Sequence, residues 1–121
     1  MAGIHHLALR VRDCEISARF YESAIGLLEM RRIQRGDELH AVWLRAGETV
    51  LMLERVLRGE GEAAGSGHVL VFPANDLATS EERLQSHGIR VNDRTPSTLY
   101  FEDPDGHRVG LSKHRFEEDA S

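Results

Sequence analysis

Two stretches of the chain repeat the same order of residues, and this repeat limits the possible folds more than any other feature. Residues 3–13 and residues 67–76 each contain a histidine, a short apolar run and an acidic helix cap. The interval His6–Gly26 equals the interval His68–Gly88, at 20 residues. A half of this size cannot easily bury one sheet face and one helix alone, so the repeat predicts two modules within one fold.

Each half is predicted to have the element order β-α-β-β-β. Period-two alternation indicates the strands, and Asp13 and Gly26 supply the cap and the stop of the first helix. The apolar stripe of that helix is expected to contain Ile16, Phe20, Tyr21, Ala24 and Ile25. The predicted strands are 4–11, 28–33, 39–45, 49–54, 68–72, 89–91, 99–101 and 108–112, with a second helix from Asn75 or Asp76 to His87.

The predicted fold class is α+β, with two tandem βαβββ modules that form a curved eight-stranded mixed sheet. The helices cover its outer face, and a cup is left inside. Residues 1–121 are expected to form a single domain. Its parts are module 1 at about 3–57, a Gly-rich linker at 58–66, module 2 at about 67–115 and a polar tail at 116–121.

Composition excludes several classes of function. The formal charge of -5 argues against a nucleic-acid surface, and the basic run of Arg31, Arg32 and Arg35 is explained as well by a solvated strand end as by a phosphate site. A single cysteine, Cys14, excludes an internal disulfide and fits a reducing compartment. The chain has neither a membrane-length apolar run nor a signal-peptide pattern, so a cytoplasmic protein is expected.

Specific motifs resemble the vicinal oxygen chelate superfamily, which includes glyoxalase I, extradiol dioxygenases, fosfomycin-resistance enzymes and bleomycin-resistance proteins. The motifs are His6–Asp13, Phe20-Tyr21 with Gly26-Leu27, Gly67–Val69 and Leu99–His107. The resemblance covers essentially the whole chain, and it implies the cup-shaped fold and a homodimer. It does not select one reaction, because the fold supports several chemistries.

The resemblance implies a divalent metal, with His6 and His68 as the ligands from the first strand of each module. Neutral imidazole suits Fe, Ni, Zn or Mn. The last-strand ligands of the family, Glu or Gln, fall on Met52 and Gly110, which supply no such donor. Glu54 is the candidate third ligand, because it lies two residues beyond Met52 on the same face. Other histidines considered for the cup are His40, His107 and His114.

Two functions are predicted from this pattern. The first is binding of a small, partly apolar molecule in the cup by a protein with a degenerate metal site, as in bleomycin-resistance-like members. The second is a metal-dependent lyase, isomerase or dioxygenase that uses His6 and His68 with a non-standard third ligand. The residues predicted to line the ligand pocket are Arg10, Met52, Leu70, Phe72, Tyr100 and Arg108, with Trp43 as a further apolar wall.

Overall fold

The computed structural model describes residues 3–57 and 67–116 of the chain. Its elements follow the order βαβββ twice, and each module has its own four-stranded mixed sheet. The predicted α+β class and the two βαβββ modules are therefore confirmed. The predicted linker, residues 58–66, and residues 117–121 of the predicted tail lie outside the described residues. Both described helices are too short and too polar to serve as membrane-spanning segments.

The first compact unit, Met1–Ala64, contains module 1. The strand order in its sheet is β1-β4-β3-β2, where β1 runs parallel to β4 and the other pairs are antiparallel. The elements are β1 His6–Arg10, α1 Cys14–Ala24, β2 Leu28–Arg35, β3 Glu38–Ala46 and β4 Thr49–Glu54. The bounds of β4 match the prediction, whereas β1 is shorter than the predicted 4–11.

The second compact unit, Gly65–Ser121, contains module 2. Its strand order, β5-β8-β7-β6, repeats that of module 1. The elements are β5 Leu70–Pro73, α2 Leu77–Ser86, β6 Asp93–Arg94, β7 Thr98–Glu102 and β8 Arg108–Ser112. Two predicted strands are corrected, because β5 begins at Leu70 rather than at His68, and β6 lies at residues 93–94 rather than 89–91.

Both helices begin and end at the residues that local sequence indicates. The Asp13 carboxylate accepts a backbone N–H of the first turn of α1 at 3.0 Å, and the Asp76 carboxylate does the same for α2 at 3.1 Å. Gly26 and Gly88 follow the helix ends with φ of 88° and 72°, a conformation that glycine adopts without a steric penalty. The two helices are therefore fixed in length by matching caps and stops.

The core of module 1 lies between α1 and one face of the sheet. Tyr21 is fully buried on the helix, and Leu53 and Val42 are fully buried on the sheet face that α1 covers. The predicted helix stripe is partly wrong, because Ile16 is 57% exposed. Small residues take its place, and the buried positions of α1 are Cys14, Ser17, Ala18, Tyr21 and Ala24. Small side chains allow the helix to approach the sheet closely.

An arginine on the strand that follows each helix ties the helix to its sheet. In module 1, Arg32 on β2 bonds Glu15 on α1 at 3.1 Å and Glu29 at 2.7 Å. In module 2, Arg94 on β6 bonds Glu81 on α2 at 2.6 Å. Hydrogen bonds from Arg32 hold the pKa of the Glu15 and Glu29 carboxyls below their ordinary value of 4.5. Each module therefore has an ion pair between its helix and its sheet, and neither ion pair was predicted from the sequence.

Replacing Arg32 with glutamine is expected to make module 1 less sensitive to acid. Carboxylates with lowered pKa stabilise the folded state above pH 4.5, and this stability is lost as the pH falls through their folded-state pKa. Because these groups are substantially solvent-exposed, the effect at neutral pH is at most about 1 kcal/mol. Urea denaturation from pH 7 to pH 3 should show the difference between wild type and Arg32→Gln disappearing on the acid side. Arg35→Gln is the control, and an equal effect of both substitutions would contradict the assignment.

Candidate functional site

The sheet face of module 1 opposite α1 carries four of the nine residues predicted for the site, namely His6, Arg10, Met52 and Glu54. We call it the Trp43 face. Strand register arranges its side chains in three rows that cross the sheet from β1 to β2. The rows are His6, Val50, Arg45 and Leu28; then Ala8, Met52, Trp43 and Arg31; then Arg10, Glu54, Ala41 and Ile33. The predicted common facing of His6, Arg10, Met52 and Glu54 is therefore confirmed.

Trp43, the single tryptophan of the chain, is the centre of this face. Its indole Nε1–H donates to Glu54 Oε2 at 2.9 Å, which restrains the orientation of the ring. The guanidinium carbon of Arg31 lies 5.4 Å from the centre of the indole ring, within the range of a cation–π contact. The half-exposed indole is thus held by an acid on one side and contacted by a cation on the other.

A register shift in β2 aims Arg31 at the indole. Glu29 pairs with Leu44, but Arg31 pairs with Trp43, so Met30 is an extra residue on this strand. An extra residue reverses the facing of the side chains that follow it. The shift therefore puts Arg31 on the Trp43 face and its neighbour on the α1 face. The basic run of Arg31, Arg32 and Arg35 is visible in the sequence, but the sequence does not show which of these side chains point to which face.

The remaining predicted residues of module 1 have other partners. Arg10 donates to the backbone oxygen of Leu57 at 2.7 Å, so its guanidinium is anchored beyond the end of β4. His6 is exposed, and its Nδ1 lies 2.9 Å from Nδ1 of His5. Met52 is half-buried beside Trp43 on the neighbouring strand. The face therefore offers an apolar centre with cations and one held carboxylate around it.

In module 2, the sheet face opposite α2 is built around Tyr100. Tyr100 pairs with Gly110 across β7 and β8, and a β-carbon at position 110 would lie 3.2 Å from the Tyr100 ring. The guanidinium of Arg108 lies 4.4 Å from the centre of that ring and bonds Asp93 at 2.9 Å. The tyrosine ring therefore occupies the space above Gly110. Arg108 thus contacts the Tyr100 ring, whereas the predicted role of both residues in a ligand pocket stays a prediction, and the ion pair with Asp93 was not predicted.

The predicted match between His68 and His6 is not supported by the register. In module 1, Ala8 pairs with Met52, and in module 2, Val71 pairs with Gly110. Gly110 was the predicted counterpart of Met52, so Val71 is the counterpart of Ala8. Two residues earlier on each strand, the counterpart of His6 is then Val69, and His68 is offset from it by one residue. A one-residue offset reverses the facing of a side chain. His68 instead lies before β5, with its Nε2 3.4 Å from Nδ1 of the buried His107.

Leu70 and Phe72 also differ from the prediction, because they lie on the α2 side of their sheet. Phe72 pairs with Leu111, which pairs with Leu99, and Arg94 next to Leu99 bonds Glu81 on α2. Phe72 is accordingly buried, at 8% exposed. Both residues contribute to the core of module 2 rather than to the face that carries Tyr100. Strand β5 has only four residues, which are too few for the alternation of apolar residues to predict which side chains face α2.

Donors for a metal ion are few at the predicted positions. Met52 offers a thioether, Gly110 has no side chain, and one oxygen of Glu54 accepts the Trp43 N–H. Of the residues that the structure describes, no three His, Cys, Asp or Glu side chains come together as a metal-binding group. Burial raises the pKa of the Cys14 thiol above its ordinary value of 9.0, so this cysteine is a core residue rather than a reactive one.

Two βαβββ modules with β1 and β5 each parallel to the last strand of its module define the vicinal oxygen chelate class of proteins. The chain belongs to the Glyoxalase/Bleomycin resistance protein/Dioxygenase superfamily, whose family model matches residues 3–111. The recognition made from the motifs is thereby confirmed. Family membership does not assign a reaction, because the function of such folds is set by their sites.

Individual relatives differ in what they are named for. The chain is 26% identical over 117 residues to the metallothiol transferase FosB of Bacillus licheniformis. The aligned region covers 90% of this chain and 73% of FosB. The fosfomycin resistance protein FosX of Listeria monocytogenes, solved with Mn(II) and dihydroxypropylphosphonic acid, has a TM-score of 0.80 at 16% identity, over 100% of this chain and 99% of FosX. TnmS3, an antibiotic binding protein from Streptomyces sp. CB03234, has a TM-score of 0.71 at 21% identity, over 93% of this chain and 95% of TnmS3.

Proposed function

We propose that this chain is a small-molecule-binding member of the superfamily in which the ancestral metal site is degenerate. One observation carries the proposal: the two positions at which metal-binding members carry Glu or Gln are Met52 and Gly110 here. The space above Gly110 is filled by the Tyr100 ring, so that position is adapted to an aromatic surface. These residues do not fit the family's metal set, because a thioether and a missing side chain replace its oxygen donors.

The Trp43 face supplies the contacts that a partly apolar molecule requires. Ligand sites in proteins combine apolar and aromatic walls with a few polar groups that fix orientation. Met52 and Trp43 form such a wall, and Arg31 and Glu54 are polar groups at its border. TnmS3 shows that an antibiotic binding protein exists among proteins of similar fold. The homodimer and the cytoplasmic location implied by the sequence stay predictions.

A metal-dependent enzyme is the competing proposal, supported by the Mn(II) found in FosX and by the name of FosB. It requires His6, His68 and a third ligand such as Glu54. Two observations weigh against it: His68 is close to His107 rather than in step with His6, and Glu54 already accepts a hydrogen bond from Trp43. A direct measurement of bound metal separates the two proposals.

Protein purified without chelator is expected to contain no stoichiometric Fe, Ni, Zn or Mn by elemental analysis, and EDTA is expected to leave its Tm unchanged. A thermal-shift screen of small molecules should instead yield ligands that raise Tm. A ligand at ten times its Kd adds about 1.4 kcal/mol, which corresponds to several degrees for a chain of this size. Stoichiometric metal that is lost in the His6→Ala/His68→Ala double variant would establish the enzyme proposal instead. A broad library without a single stabilising molecule would contradict the binding proposal.

A further inference from the structure

On the Trp43 face, two arginines, Arg31 and Arg45, have no carboxylate partner among the described residues, and they lie around an aromatic centre. Three arginines and one carboxylate lie in its rows. Among the described residues, Arg31 contacts only the Trp43 ring, and neither Arg31 nor Arg45 has a carboxylate partner. By contrast, Arg32, Arg94 and Arg108 all form ion pairs with carboxylates. Within the part of the chain that the structure describes, these two unpaired cations beside a half-exposed aromatic ring distinguish the Trp43 face.

Arg31 and Arg45 lie close enough together for both guanidinium groups to reach one acidic group of a bound molecule. Arg31 is the cross-strand partner of Trp43, so its backbone lies about 4.8 Å from that of Trp43. Arg45 lies two residues along β3 on the same face, at about 7 Å. Arginine side chains are long enough to converge over the edge of the indole from these positions. The arginine fork suits carboxylate, sulfonate and phosphate groups.

The acid on this face does not cancel the attraction for an anion. Glu54 is on the far side of Trp43 from Arg31 in the sheet, since Trp43 lies between β2 and β4. Its carboxylate accepts the indole N–H, and Arg10 is its cross-strand partner in the row. Negative charge is therefore located at one border of the face and free positive charge at the other. A ligand with one apolar ring and one acidic group matches this arrangement.

We propose that the molecule bound by this chain is a planar aromatic anion, which stacks on Trp43 and Met52 and directs its acidic group to Arg31 and Arg45. This inference rests on the proposed binding function and adds the chemical class of the ligand. The apolar contact supplies affinity through burial, and the two arginines supply selectivity through charge. The arginine that already contacts the indole moves onto the anionic group, and the ligand ring takes its place over Trp43.

Titration of 15N-labelled protein with three matched probes tests the proposal. The probes are naphthalene-1-sulfonate, the neutral 1-naphthalenemethanol and the cationic 1-naphthalenemethylamine. The chain has one tryptophan, so the spectrum has one indole N–H resonance, which reports binding at Trp43 directly. The sulfonate is expected to shift this resonance and to bind about tenfold more tightly than the alcohol, the ammonium being weakest. Salt should reduce the preference, because about 1 M salt shortens the Debye length to about 3 Å.

The Arg31→Gln/Arg45→Gln variant identifies the source of the preference. It keeps Trp43 and its resonance, and it is expected to bind the sulfonate about tenfold more weakly while its affinity for the alcohol is unchanged. Arg35→Gln makes the same chemical change at the end of β2 and should leave both affinities as in wild type. Glu54→Gln keeps an acceptor for the indole N–H and is expected to strengthen sulfonate binding.

Several results would overturn the inference. Equal affinity for sulfonate and alcohol would remove the ligand class, although small-molecule binding itself would stand. A sulfonate preference that survives in Arg31→Gln/Arg45→Gln would move the anion site elsewhere. Ligands from the thermal-shift screen that bind without moving the indole resonance would also contradict it, again without affecting the broader proposal. Stoichiometric bound metal would instead contradict the broader proposal and leave the measured charge preference intact.

Discussion

Replacing Gly110 with glutamate is expected to lower the free energy of unfolding by about 1 to 2 kcal/mol and to leave the chain without tightly bound metal. The new β-carbon would lie 3.2 Å from Tyr100 Cδ1 and 3.3 Å from the carbonyl oxygen of Leu99. Overpacking of this kind costs about 1 to 3 kcal/mol, against a gain of up to about 1 kcal/mol from restricting the unfolded chain. Urea denaturation and elemental analysis measure the two outcomes.

A double-mutant cycle shows whether Tyr100 is the cause. In the Tyr100→Ala background, Gly110→Glu is expected to cost about 1 kcal/mol less than in wild type, because the ring no longer occupies the space. The single Tyr100→Ala variant is the matched control, and it also loses the ring that Arg108 contacts. If Gly110→Glu alone were as stable as wild type and bound metal stoichiometrically, the assignment of a closed position at Gly110 would be wrong.

Truncation of Leu53 to alanine is expected to cost about 3 kcal/mol, the largest effect of a single substitution considered. Leu53 is fully buried on β4, between Leu9 on β1 and Val42 on β3. Its side chain lies on the face that α1 covers. The truncation therefore leaves a buried cavity that water does not reach. Chemical denaturation with a fitted midpoint measures the change, provided that the slope with denaturant is preserved.

The adjacent residue on the same strand supplies the control. Met52 is half-buried and points to the Trp43 face, so Met52→Ala is expected to cost less than about 1 kcal/mol. The same variant should weaken ligand binding, because it removes part of the apolar wall beside Trp43. Equal destabilisation by the two substitutions would show that both faces of β4 are core, and it would remove the Trp43 face as a binding surface.

Local features of the fold could be read from sequence because short-range chemistry decides them. Asp13 and Asp76 cap the two helices, and Gly26 and Gly88 end them, as their residue types predicted. The order βαβββ and the facing of β1 and β4 also followed from alternation along single strands. In these cases the information lies within a few residues of the element that it determines.

Features that depend on the pairing of distant strands could not be predicted. Whether His68 or Val69 matches His6 depends on how β5 pairs with β8, which are far apart in sequence. The face of Phe72 depends on the same register, and four residues of β5 are too few to reveal it. The unpaired state of Arg31 is likewise a property of the assembled sheet rather than of its neighbours in the chain.

The extra residue at Met30 has a consequence for how such a surface can diversify. Two adjacent arginines serve opposite sides of one strand, one holding the helix and the other beside the indole. If β2 instead paired regularly onward from Glu29, Met30 would oppose Trp43 and Arg31 would oppose Val42, so the two arginines would exchange directions while every side chain stayed chemically the same. On a duplicated scaffold of this kind, a shift of strand register can therefore change several of the side chains that the surface offers a ligand, where a substitution alters only one contact at a time.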